Sequence, residues 1–285
     1  SKIDNMLYIV VPTYNREAVC RHFINDLYSQ TNQNYHLVLV DHGRNRVDIN
    51  DTNITLLHSD VNGWARAVNV GLRHVLMVCN KSKDYVLIIN DDVILSDNYI
   101  QSIYDSIAEK PNAVLGTCCI DQNKNFTLRV AIRLSRLKAK HIYLYQNIAP
   151  SKIRDEYIDS DVLTGKGTVF PLSILDKIGI YNEEKLPHYK ADHELVWRAR
   201  KSGFKVYAST KMQLRTLSDQ KTASGKERFL SNVRFLYFDM RSTMRIKDLW
   251  NYSILAYKFP FSLYFFIMNF LYNNIGIFIT YFKTR

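Results

Sequence analysis

Apolar residues along the first half of the chain follow two spacings in turn. Residues 7–11 form a short continuous apolar run closed by Pro12, the pattern of a strand buried on both faces. Residues 18–28 then place Val19, Phe23 and Leu27 at helical intervals. The exchange repeats, with strand patterns at 37–40, 54–57 and 86–89 and helical ones at 65–78 and 99–107. Such alternation predicts an α/β fold in which a mostly parallel sheet carries helices on both faces. Ligands of these sheets bind beyond the carboxyl ends of the strands. Pro12-Thr13, Asp41 and Asn90-Asp91-Asp92 all fall at such ends.

The alternation weakens after residue 113. Strand patterns occupy 113–120, 126–134 and 162–170, and residues 187–190 read as a loop. A helix over 192–202 is stopped by Gly203 and followed by a strand at 205–208. Residues 216–226 are polar and read as a mobile loop, 226–250 as a basic amphipathic helix, and the chain from 252 onward is strongly aromatic. The division expected is therefore 1–215, 216–250 and 251–285.

Composition narrows the partners more than the fold. Across 285 residues, 47% hydrophobic and 23% charged content suits a globular chain with ample core. Lysine and arginine total 38 against 27 acidic residues, a net charge of +11, which favours a nucleotide, an anionic membrane surface or nucleic acid. Nucleic acid is set aside because no zinc-finger, RRM or homeodomain signature occurs. Cys20, Cys79, Cys118 and Cys119 lack metal-ligand spacing and suit a reducing compartment. The N-terminal residues enter a strand pattern almost at once, so no signal peptide is expected.

The stretch LIINDDVIL (87–95) brings an amide and two carboxylates to the end of a hydrophobic run. That placement needs a cation or a turn; an Asx turn made by Asp91 and Asp92 is the simpler alternative. VVPTYNRE (10–17) ends a strand and opens a helix, whose free N–H groups favour anions. Asp41 either makes a turn with Gly43 or meets a ligand, and Arg66 either reaches a phosphate or stays solvated. Asp192 opens a helix, where a carboxylate is also a natural cap. Glu194 is spaced to pair with Arg198 at i, i+4.

VPTYNRE, LVLVDHG, NGWARAVNVGL, INDD, LTGKGTVFPLSILDKIGIYNEE and ADHELVWRARKSGFKV follow one another in this order over roughly residues 6–210. In this order they resemble family 2 glycosyltransferases, GT-A fold enzymes that use nucleotide sugars, and especially those that build bacterial surface polysaccharides. The resemblance implies a Rossmann-like GT-A domain over 1–215. It implies a divalent cation, Mn²⁺ or Mg²⁺, at Asp92 with Asn90, bridging the donor diphosphate. Pro12, Thr13, Asp41, Asn62, Arg66, Asn90 and Asp91 would then line the nucleotide, and Asp192 would be the catalytic base of an inverting transfer, with Glu194 as its alternative. The donor would be a UDP- or dTDP-hexose. The chain departs from the pattern where relatives supply a further histidine ligand: none follows His193, and Gln213 or Arg215 stands near that place. Tyr181-Asn182-Glu183 also replaces the more usual aromatic-Asp-Glu.

Residues 259–282 contain no charge, while Lys258, Lys283 and Arg285 flank them. The length reaches the roughly 20 residues a bilayer span needs, yet Pro260, Asn269, Asn273 and Asn274 interrupt it. Interfacial anchor, oligomer or core helix, and transmembrane span are the readings open, the first favoured by aromatics beside basic residues such as Arg241, Arg245 and Lys247. The expectation is a peripheral enzyme on the cytoplasmic face of the bacterial inner membrane, acting on a glycan or lipid-linked glycan. A nucleotidyltransferase would want glycines after the first strand, and VPTYNRE has none. A non-catalytic sugar-binding scaffold would need neither Asp92 nor Asp192.

Overall fold

A computed structural model of the chain describes residues 5–216 and 229–282. Most of the mobile loop expected at 216–226 lies outside them. The centre is one large sheet. Strands β1 (Leu7–Thr13), β2 (Tyr35–Asp41), β3 (Ile54–His58) and β4 (Tyr85–Ile88) run parallel in the order β3-β2-β1-β4. The short β5 is Ile94–Leu95 and β6 is Ala113–Asp121. Beyond β4, strand β11 (Thr168–Pro171) runs antiparallel to both β4 and β6. Strand β12 (Lys205–Thr216) pairs parallel with β6 and antiparallel with β10 (Tyr157–Asp159) and β5.

The apolar strands are apolar because both faces are covered. Leu7, Ile9, Val11, Leu37 and Leu39 join α1 (Glu17–Tyr28) and α3 (Tyr99–Glu109) in one core. Val10, Val38, Val86 and Ile88 point the other way, into a core shared with α2 (Trp64–Val78) and α5 (Ala191–Lys201). Register then aligns the strand ends: Thr13 lies beside Asp41, and Asp41 beside His58.

Several spans differ from the sequence pattern. The run 126–134 is two strands, β7 (Thr127–Arg129) on β6 and β8 (Ala131–Ser135) in a hairpin with β9 (Lys140–Leu144). Only the end of 162–170 is a strand; Gly167, at φ 88°, turns the chain before it. A short helix, α4 (Leu172–Ile178), follows β11. Strand β12 extends from 205 to 216 because its second half alternates buried Met212 and Leu214 with exposed Gln213 and Arg215. The basic segment is two helices, α6 (Phe229–Phe238) and α7 (Ile246–Ala256), rather than one. Asp239 accepts the Arg241 N–H at 2.8 Å in the turn between them, a local bond that competes with helix.

Helix α7 lies on α5: Trp197 Nε1 donates to Ala256 O at 2.9 Å, and Tyr252 is fully buried. Helix α8 (Phe261–Phe282) follows, buries Phe265 among Tyr252, Tyr257 and His141, and holds the β8–β9 turn through Tyr264 Oη to Leu137 O at 2.6 Å. Among the described residues, no helix is long and apolar enough to cross a membrane.

Candidate functional site

The chain leaves β4 and turns successive side chains to different tasks. Asn90 Oδ1 accepts a hydrogen bond from Trp64 Nε1 at 2.8 Å. Asp91 is enclosed: Thr13 Oγ1 donates to its Oδ2 at 2.7 Å, and Arg16 Nη2 lies 2.5 Å from its Oδ1. Burial pushes the Asp91 carboxyl up, while Arg16 and Thr13 pull it back. Asp91, expected beside the nucleotide, thus spends its carboxylate on the β1–α1 turn. Asp92 is the reverse case. Its side chain is 41% exposed, with Arg16 Nη1 3.7 Å from Oδ2, and its main-chain O accepts from Thr216 Oγ1 at 3.3 Å.

The β2 end is occupied by its own loop. Asp41 is fully buried; its carboxylate accepts Gly43 N–H at 3.0 Å and Val47 N–H at 2.6 Å. Turn-making is therefore what its side chain does here. Asn15 Oδ1 accepts Asn45 N–H at 2.9 Å, locking this loop to the β1–α1 turn, and Pro12 and Thr13 lie buried beneath. At the lip, the half-exposed Tyr14 ring tilts against His42 with centroids 5.1 Å apart. Neither ring was singled out from the sequence, although both stand inside the quoted VPTYNRE and LVLVDHG.

Helix α2 does not offer a free N-terminus. Trp64 N–H goes to His188 Nδ1 at 3.1 Å and Ala65 N–H to Pro187 O at 3.0 Å, so the loop before α5 takes the amides an anion would need. Arg66 Nη1 donates to Asn62 O at 3.2 Å and closes its own turn. Gly63, at φ 118°, brings this turn so close to Pro187 that a Cβ would fall 2.5 Å from its carbonyl oxygen.

Asp192 sits in the first turn of α5, half-buried, where a carboxylate also suits the helix dipole. Gly165 N–H donates to Oδ2 and His193 N–H to Oδ1, each at 2.9 Å. Gly165 has no room for a side chain: a Cβ would lie 2.6 Å from the Trp64 ring. One chain of contacts therefore runs Asn90, Trp64, Gly165, Asp192, and joins the acidic motif to the candidate base. Glu194 differs. It is buried, and Arg198 takes both of its oxygens at 3.0 and 2.8 Å while also donating to Ile178 O and Ile180 O. Beside Asp192, burial pushes the Lys190 ammonium down, against the pull of Asp192 and Asp248.

Among the described residues, a cation here would find one accessible carboxylate, that of Asp92. No group of three His, Cys, Asp or Glu side chains suited to a metal occurs among the described residues. Gln213 Nε2 donates to Thr210 O at 2.9 Å and Arg215 Nη2 to Asn125 Oδ1 at 2.8 Å, so neither of these side chains is turned to the motif. A single accessible carboxylate suits a hard ion that keeps most of its waters.

Residues 8–179 match the model of glycosyl transferase family 2. A glycosyltransferase of Haemophilus influenzae is 27% identical over 158 residues, 54% of this chain and 48% of that protein. The chain spans less than half the length of the curated relatives it matches. Among solved structures, GalNAc-T7 with UDP, GalNAc and Mn²⁺ superposes with a TM-score of 0.64 at 10% identity, over 92% of this chain and 49% of that one. A mannosyltransferase of Pyrobaculum calidifontis with GDP-Man and Mn²⁺ gives 0.55 at 14% identity, over 93% and 69%. These likenesses show a GT-A fold.

Proposed function

The chain belongs to glycosyltransferase family 2, and from that premise we propose that it transfers a hexosyl group from a UDP- or dTDP-sugar to a glycan or lipid-linked glycan, with inversion. Asp92, with Asn90 beside it, holds a divalent cation, Mn²⁺ or Mg²⁺, an assignment supported by the Mn²⁺ bound in two similarly folded proteins. A cation held there would supply positive charge to offset that on the departing nucleoside diphosphate. Tyr14 and His42 offer rings against which a base can stack. Asp192 accepts the proton of the acceptor hydroxyl as that oxygen bonds to the anomeric carbon. The bond from that carbon to the diphosphate breaks, and its electron pair leaves with the nucleoside diphosphate.

The observation that carries this reading is the Asn90–Trp64–Gly165–Asp192 chain, because it fixes a half-buried carboxylate relative to the acidic motif. Glu194 is set aside as base because Arg198 engages both of its oxygens. The net charge of +11 and the aromatic α8 favour a peripheral place on an anionic surface, the cytoplasmic face of a bacterial inner membrane. A panel of nucleoside-diphosphate hexoses, assayed for released diphosphate with and without Mn²⁺, tests the activity. Mn²⁺-dependent release from a UDP- or dTDP-hexose is expected; no release from any donor in the presence of a glycan-lipid extract would sink it.

A further inference from the structure

A second concavity lies where the end of α5 meets the α7–α8 elbow and the β8–β9 turn. It is an open groove of about 690 Å³. Arg136, Lys201 and Lys258 line it together with Ile254, Phe259 and Phe261, and among the described residues no carboxylate does. Lys201 Nζ donates to Leu255 O at 3.0 Å, and burial pushes its ammonium down; Glu194 pulls it back, while Arg198 and Lys258 press it further down. The acids nearest in the fold are already held. Glu194 pairs with Arg198, and Asp161 lies 2.9 Å from Arg200 Nε. Tyr257 also lines the groove, and its enclosed hydroxyl has no hydrogen-bond partner among the described residues. A cluster of cations with an unpaired hydroxyl calls for an anion that brings its own acceptor oxygens.

The surroundings say which anion. Phe259 is 80% exposed, and Leu263, Ile267, Leu271 and Ile275 repeat every four residues on the outer side of α8, all exposed. At the β8–β9 turn, Leu137 is 88% exposed between Arg136 and Lys138. An apolar stripe this long, bordered by cations and free of acids over 259–282, matches the acyl and phosphate layers of a bilayer surface.

We propose that the groove seats the phosphate headgroup of an anionic lipid, while Leu137 and the outer side of α8 rest among the acyl chains. The proposal deepens the membrane reading above and is independent of the chemistry at Asp192. Lys201 stands nine residues beyond Asp192 on α5, roughly 14 Å along its axis. The headgroup site is therefore an anchor that orients the cleft and does not hold the reacting end of the acceptor.

Flotation of the full chain with vesicles of phosphatidylcholine, alone or with one third phosphatidylglycerol, tests this. Binding is expected only with the anionic vesicles. Arg136→Gln/Lys258→Gln should weaken it by about 10- to 30-fold, since each cation at the surface contributes roughly one power of ten or less. Lys124→Gln/Lys152→Gln removes the same charge elsewhere and should weaken it far less. Equal losses in both pairs would reduce the effect to net charge and overturn the groove, leaving the membrane reading intact. Wild-type protein that ignores anionic vesicles, or that sediments as a dimer they cannot dissociate, would overturn both. Calorimetry with nucleoside diphosphate and Mn²⁺ on the same variants should be unchanged, which keeps the transferase reading separately testable.

Discussion

Arg16 Nη2 lies 2.5 Å from Asp91 Oδ1, and its Nη1 lies 3.7 Å from Asp92 Oδ2. One guanidinium thus touches an enclosed carboxylate and an accessible one. The enclosed one needs it, because besides Arg16 the Asp91 carboxylate has the Thr13 hydroxyl and a main-chain N–H against the cost of burial. Arg16→Ala should lower stability by about 1–3 kcal/mol, towards the lower end because Arg16 itself is partly exposed. Arg16→Lys should recover only part, since a point charge cannot span both groups as the fork does. Urea unfolding midpoints measure this; an unchanged midpoint for Arg16→Ala would contradict the pairing.

Asp92 is open to solvent at 41% and makes few demands on the core. Asp92→Ala should keep the wild-type melting temperature and lose Mn²⁺-dependent binding of nucleoside diphosphate by at least ~10-fold, because hard oxygen ligands are few here. Removing the metal from wild-type protein with EDTA should produce the same loss. Titration calorimetry decides it, and equal affinity in Asp92→Ala would retire the metal assignment.

Stability should fall on mild acidification. Burial pushes His141 and His193 below the ordinary 6.5, and His193 presses His141 further down, the rings meeting edge to face at 4.9 Å. Asp192 pulls His193 up, while Lys190 and Arg129 push it down. The unfolded chain binds these protons near pH 6.5 and the folded chain does not, so stability is present above that pH and lost below it. Each histidine adds at most about 1.4 kcal/mol per pH unit. His141→Gln should flatten the decline in melting temperature between pH 7 and 5. A decline as steep as wild type would place the effect elsewhere, for instance at His36, His42 or His188, which burial also lowers.

The parallel half of the sheet was legible because its strands are apolar on both faces and its helices are not: Phe23 and Leu27 follow one period, Leu37 to Val40 another. The ends of those strands pointed to Asn90 and Asp92, which follow β4, whereas Asp192 was marked by a helix start and the family pattern and stands in the first turn of α5. What stayed hidden depends on contacts between distant residues. The bend at Val130 follows from β7 joining β6 while β8 joins β9, and an apolar run does not encode that choice. Trp64 looks like an ordinary core residue until its indole reaches Asn90 and its ring closes on Gly165. Asp41 looked equally fit for ligand or loop, and the amides of Gly43 and Val47 took its oxygens.

Two carboxylates of α5 have different work. Asp192 is half-buried and oriented by Gly165 and His193 N–H groups, whereas Glu194 is buried and engaged at both oxygens by Arg198. The most direct measurement is transfer rate beside donor affinity in Asp192→Asn and Glu194→Gln. Asp192→Asn should bind nucleoside diphosphate and Mn²⁺ as wild type does and transfer at least ~10²-fold more slowly, the usual range for a lost general base. Glu194→Gln should unfold more readily and, while folded, transfer within a few-fold of wild type. Near-normal transfer in Asp192→Asn beside an inactive, well-folded Glu194→Gln would contradict the assignment and move the base to Glu194.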